Sequence, residues 1–151
     1  MTMSSEAEER LRRLVIELRL LQDSSGALQS RLRVVEAAIT ELQVANSTLD
    51  GLKRREKSTL MLVPVGGSSY VKAELGDVDR VIFGVGAGVV LEKSFEEAQA
   101  SMSDQMKELE KAHTAILQQL TQLGARIDET RSQIDGLSKR MSEGSSGVRE
   151  A

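Results

Sequence analysis

Residues 59–93 read TLMLVPVGGSSYVKAELGDVDRVIFGVGAGVVLEK, and this stretch decides the fold. Six glycines and eight valines fall within it, and its apolar residues follow no helical spacing. Leu60 to Val65 and Ser68 to Leu75 flank Gly66-Gly67, the two-residue signature of a tight β-hairpin. After Gly76-Asp77, Arg80 to Val85 and Gly88 to Lys93 flank a second turn near Gly86 and Ala87. Two β-hairpins are therefore expected between 59 and 93.

On either side the texture changes to heptads. Steps of three and four from Leu11 land on Leu11, Leu14, Leu18, Leu21, Ser25, Leu28, Leu32, Val35, Ile39, Leu42, Asn46 and Leu49, ten of twelve apolar. The same stepping from Met102 gives Met106, Leu109, His113, Ile116, Leu120, Leu123, Ile127, Thr130, Ile134, Leu137 and Met141, again ten of twelve. Ser5 with Glu8 and Ser94 with Glu97 have capping-box spacing for two helix starts, and Lys53, Arg54, Arg55 and Lys57 place cations at the end of the first helix. The expected organisation is a coiled-coil helix over 6–57, hairpins over 59–93, a second coiled-coil helix over 94–142 and a disordered tail over 143–151. Helices of that length, at ~1.5 Å per residue, extend roughly 75 Å and have no small-domain core to cover their stripes. The economical solution is an α+β chain in which the two helices fold back as an antiparallel coiled coil.

Composition narrows the chemistry. Only Tyr70, Phe83 and Phe95 are aromatic among 151 residues, so a conventional globular core is not expected. Without cysteine there is no disulfide, zinc knuckle or thiol nucleophile, and a metal cage or catalytic triad would have to be built around the single histidine, His113. A net charge of −3 gives no pull towards nucleic acid, and no stretch reaches the ~20 apolar residues of a membrane span. Gly84-Val85-Gly86-Ala87-Gly88 has Val89 where a dinucleotide fingerprint needs its third glycine, and continues as a strand. Lys53-Arg54-Arg55 sits in a region of ten basic and nine acidic residues over 6–57, so no basic field surrounds it. Asn46-Ser47-Thr48 lies in mid-helix, and Asp77-Val78-Asp79 lacks the later ligands of a calcium loop. No catalytic residue, metal or cofactor is expected, and a soluble cytoplasmic protein is the simplest reading.

The hairpins are too apolar to stand in water and expose unpaired edges. Pro64 removes one ladder donor and marks its strand as an edge or a bulge. The residues expected to pair with other subunits are Leu60, Leu62, Val63, Val65, Tyr70, Val71, Val81, Ile82, Phe83, Val85, Val89, Val90 and Leu91. This predicts an obligate oligomer with a β-rich hub and projecting helical arms.

The order of helix, two hairpins and helix, with Val63-Pro64-Val65-Gly66, Tyr70-Val71-Lys72-Ala73 and Gly86-Ala87-Gly88 running to Glu92-Lys93, resembles the α-class subunit of prefoldin, in its archaeal form. The resemblance covers about residues 6–141. It implies a hexamer of two α-class and four β-class subunits, whose hairpins form an intersubunit β-barrel hub from which six coiled coils hang. It also implies an ATP-independent chaperone, a holdase that captures non-native polypeptide at the coiled-coil tips and passes it to a group II chaperonin.

The residues add a capture surface. Over 11–21 the seam uses four leucines, yet Val15, Ile16 and Leu20 are also apolar and must point elsewhere, while between Gln22 and Leu49 only Val34 and Val44 are similar extras. Leu11, Leu14, Val15, Ile16, Leu18 and Leu20, joined by Ile134, Leu137 and Met141 at the same end, are the expected client-binding residues. Gly26, Gly124 and Gly136 should weaken the helices there by ~1 kcal/mol each. Ser25, Asn46, His113 and Thr130 at seam positions are expected to fix pairing register. The rival reading is a structural coiled-coil scaffold or tether without client binding, which leaves the hairpins without a purpose.

Overall fold

Helix α1 (Met3–Lys53) and helix α2 (Phe95–Arg149) carry the two heptad runs, and β1 (Leu60–Gly66), β2 (Ser69–Glu74), β3 (Arg80–Gly86) and β4 (Val89–Ser94) lie between them. The computed structural model describes residues 3–149, with side chains from Ser5 to Gly144. All twenty-four positions picked by heptad stepping are buried or half-buried. The seam is thus set by the sequence period, because residues three and four apart fall on one helix face.

The described part of residues 1–35 and 112–151 forms one unit. Leu14, Leu21 and Val35 of α1 and Ile116, Ile127 and Thr130 of α2 are its buried residues. Arg126 Nη2 meets Glu17 Oε1 at 3.4 Å across the pair. Nearer the chain ends Arg10 shares a cleft with Gln133, Gly136, Leu137 and Arg140, so the helices here run antiparallel. Both helices pass through Gly26, Gly124 and Gly136 without a break. Thr130 Oγ1 donates to the Arg126 carbonyl oxygen at 2.8 Å, so its polarity is satisfied within its own turn.

Residues 36–111 form the other unit. Leu49, Phe95 and Ala98 are its buried centre, with Leu52, Val78, Val81, Phe83 and Met102 packed around them. Gln99 Nε2 donates to Asp50 Oδ1 at 2.7 Å, and Lys53 Nζ pairs with Glu96 Oε1 at 3.1 Å. The hydrogen bond and charge of Lys53 hold the Glu96 carboxyl below its ordinary value of 4.5. Asn46, by contrast, has a buried Oδ1 without a hydrogen-bond partner.

The two hairpins are copies offset by twenty residues. Leu60 pairs with Glu74 as Arg80 pairs with Ser94, and Gly66 with Ser69 as Gly86 with Val89. Each register slips at the same place, between Pro64 and Gly66 and between Gly84 and Gly86, leaving Val65 and Val85 as the extra residues of a bulge. The turns centre on Gly67-Ser68 and Ala87-Gly88, one residue later than the sequence reading. Gly66 and Gly86 carry φ of 103° and 106°, which a side chain strongly disfavours, so those glycines are spent on the bulge. Ser68 and Ala87 take φ of 59° and 51° within the turns.

Helix bounds differ from expectation in three places. The α1 helix is already formed at Met3, ahead of the Ser5 cap, since extending a formed helix adds one bond per residue fixed. It ends at Lys53 rather than 57 because the next residues turn into the ladder: Ser58 (φ 69°) donates its N–H to the Leu75 carbonyl oxygen at 2.7 Å. The α2 helix continues to Arg149 where a disordered tail was expected from 143, each serine or glycine there costing ~1 kcal/mol or less; residues 150 and 151 lie outside the described residues.

The start of α2 shows the Ser94 half of the expected box. The Glu97 N–H donates to Ser94 Oγ at 3.1 Å. Ser94→Ala should lower the unfolding free energy by about 1 kcal/mol and Ser94→Asp should restore it, read from denaturant midpoints; an unchanged midpoint for the alanine variant denies the cap any part in stability.

Candidate functional site

Two apolar surfaces stand open, one in each unit. In the hairpin unit Leu60, Leu62, Val63, Val65, Tyr70, Val71, Ile82, Val85, Val89, Val90 and Leu91 are exposed. Cross-strand pairing puts Val63 and Val71 on one face of the first hairpin, together with half-buried Met61 and Ala73. The opposite face carries Leu60, Leu62 and Tyr70 with Lys72 and Glu74. In the second hairpin the faces are unequal. Val81 and Phe83 pack against the helices, and Lys93 lies over Phe83 with Nζ 4.9 Å from the ring centre while donating to Ser101 Oγ at 3.0 Å. Val81 and Phe83 are therefore half-buried internal anchors of this chain, packed on its helical centre. Ile82, between them in β3, faces outward at 71% exposure.

In the arm unit the nine expected client-binding residues separate into two kinds. Leu14 is buried, and Leu11, Leu18, Ile134, Leu137 and Met141 are half-buried in the seam, so they are withheld while the helices stay paired. Val15, Ile16 and Leu20 are open at 49%, 61% and 62% exposure. Val34, Val44 and Leu117 are exposed as single residues further along the helices, and Leu117 was not anticipated from the heptads. Leu117 falls between the seam residues Ile116 and Leu120, and an apolar residue at such a position signals exposure once the seam is fixed.

A groove of about 620 Å³ is lined by Thr114, Leu117, Gln118, Thr121 and Gln122, all on one helix, and so cannot enclose a substrate. His113 is half-buried at its seam position, and no group of three or more His, Cys, Asp or Glu among the described residues could hold a metal ion. Among the described residues no helix is long and apolar enough to cross a membrane.

Residues 21–140 match the family model described as "Prefoldin subunit". The chain belongs to the prefoldin family. It is 40% identical over 115 residues to prefoldin subunit alpha of Methanopyrus kandleri, covering 76% of this chain and 73% of that one. Prefoldin subunit alpha of Methanobrevibacter smithii is 28% identical over 87% of this chain and 90% of its own length. Among solved structures, filamentous PFD from Methanocaldococcus jannaschii superposes with a TM-score of 0.68 at 25% identity, over 81% of this chain and 98% of that one. The prefoldin beta subunit from Thermococcus strain KS-1 shares the fold at a TM-score of 0.56 and 16% identity, over 84% of this chain and 90% of that one. Prefoldin is a chaperone family, and this chain is a prefoldin chaperone subunit of the helix, double hairpin, helix design.

Proposed function

We propose that this prefoldin subunit acts as an ATP-independent holdase, assembled through its hairpins and holding non-native polypeptide on the arm surface of Val15, Ile16 and Leu20. The observation that carries the reading is the contrast along one helix: the seam residues are withdrawn from water, yet three large apolar side chains within six residues remain open. Such a cluster costs solubility and is retained where something covers it. Clients that share little beyond exposed apolar groups suit it, and several weak arm contacts combine by effective concentration while each stays reversible.

The hairpins support the partner side of the proposal. Strands with apolar residues open on both faces of a two-stranded sheet are completed by strands from other chains. The assembly proposed is two subunits of this kind with four β-class subunits, in the cytoplasm, handing clients to a group II chaperonin. The complex obtained by co-expression with a β-class subunit should suppress aggregation of a client diluted from denaturant with no nucleotide present, followed by light scattering. Aggregation at the rate of the client alone, in a complex of full mass, overturns the holdase reading.

A further inference from the structure

The cations of this chain are partitioned. Of the eleven in residues 1–35 and 112–151, ten are arginine and one, Lys139, is lysine. Residues 36–111 carry the other nine, six lysines and three arginines. Both residue types supply the same charge and comparable helix propensity, so neither solubility nor helix formation asks for this division. What separates them is chemistry at a dry contact: guanidinium is planar, weakly hydrated, stacks on aromatic faces and grips carboxylates with two parallel bonds, whereas ammonium holds its water.

Three of these arginines surround the open patch. On α1, Arg12 stands three and four residues before Val15 and Ile16, Arg13 stands three before Ile16, and Arg19 stands four and three after the same pair. Side chains at those spacings are neighbours on a helix surface. Arg13 is engaged with Glu9 at 2.8 Å. Arg12 and Arg19 close no ion pair among the described residues, although Glu8 and Asp23 stand one turn away from them on the same helix. The patch is thus apolar in the middle with guanidinium planes on its border left available to a ligand.

We infer that the arm surface selects client segments in which aromatic side chains alternate with carboxylates, Val15, Ile16 and Leu20 receiving the apolar groups while Arg12 and Arg19 stack on the rings and pair with the acids. The inference rests on the proposed capture role of that patch and names the ligand class it prefers. The absence of an internal partner for either guanidinium favours an occupant that brings its own rings and carboxylates.

The test uses the assembled complex and two labelled peptides of equal length, one alternating Phe and Asp, the other alternating Leu and Ser, with binding read by fluorescence anisotropy. Arg12→Lys with Arg19→Lys keeps charge and helix. It should weaken the Phe/Asp peptide about tenfold through the loss of two stacked, bidentate contacts, and leave the Leu/Ser peptide within about twofold. Equal affinity for the Phe/Asp peptide before and after, or equal loss for both peptides, overturns the inference. A change in the mass of the complex on the same substitution overturns it as well, by placing these arginines between arms. Serine at Val15, Ile16 and Leu20 is the control for the underlying role: both peptides should be lost, and if both still bind, the capture assignment itself fails whatever the lysine variant does.

Discussion

Ile82→Asp is expected to leave the single chain folded and to dissolve its assembly. In the chain alone Ile82 faces water at 71% exposure, so a carboxylate there removes no internal packing. Its cross-strand partner is Glu92, which Arg80 already approaches at 3.7 Å. The like-charge cost on the isolated hairpin is therefore small, ~1 kcal/mol or less. If strands of neighbouring subunits cover this face, the same carboxylate is buried without a partner in every copy, at a cost of several kcal/mol each. Circular dichroism should show unchanged helix content, while mass measurement after co-expression with a β-class subunit should show separated chains. A complex of undiminished mass would show that the outward face of β3 is not where subunits join.

The second large effect concerns capture. Replacing Val15, Ile16 and Leu20 together by serine removes three exposed side chains whose full burial is worth ~1.5–3 kcal/mol each, so client affinity per arm should fall by two orders of magnitude or more. None of the three belongs to the seam, and the lower helix propensity of serine costs only a few tenths of a kcal/mol per site in a helix of 51 residues. Assembly mass should stay the same while suppression of client aggregation disappears. Intact suppression by the triple variant would move the capture surface elsewhere, the half-buried seam of Ile134, Leu137 and Met141 being the next place to look.

How much could be read in advance follows from the range of each signal. Seam positions were legible to the residue, including the polar ones, because a 3.5-residue period is local and repeats many times. The box at Ser94 and Glu97 was legible for the same reason. Hairpin position is legible but the turn falls one residue later than the glycines suggest, since Gly66-Gly67 looks like a turn and only the backbone shows Gly66 committed to a bulge. The duplication of the hairpins leaves little trace in the sequence because, of fifteen aligned positions, only Val65 with Val85 and Gly66 with Gly86 are identical. That Val81 and Phe83 turn inward while Ile82 turns outward depends on which face of the sheet meets Leu49 and Phe95, a tertiary fact with no local trace. Nor could heptads alone divide the expected capture residues into the three that are open and the six held in the seam.

The repeated hairpin bears on architecture beyond this chain. A protein with one joining element can complete a ring, and a protein with the same element twice can belong to two rings at once. If each hairpin joins strands of other subunits as proposed, this subunit would have, in the vocabulary of polymer chemistry, a functionality of two. The ratio in which it is made, relative to its proposed β-class partners, would then govern whether closed particles or extended networks accumulate in a cell.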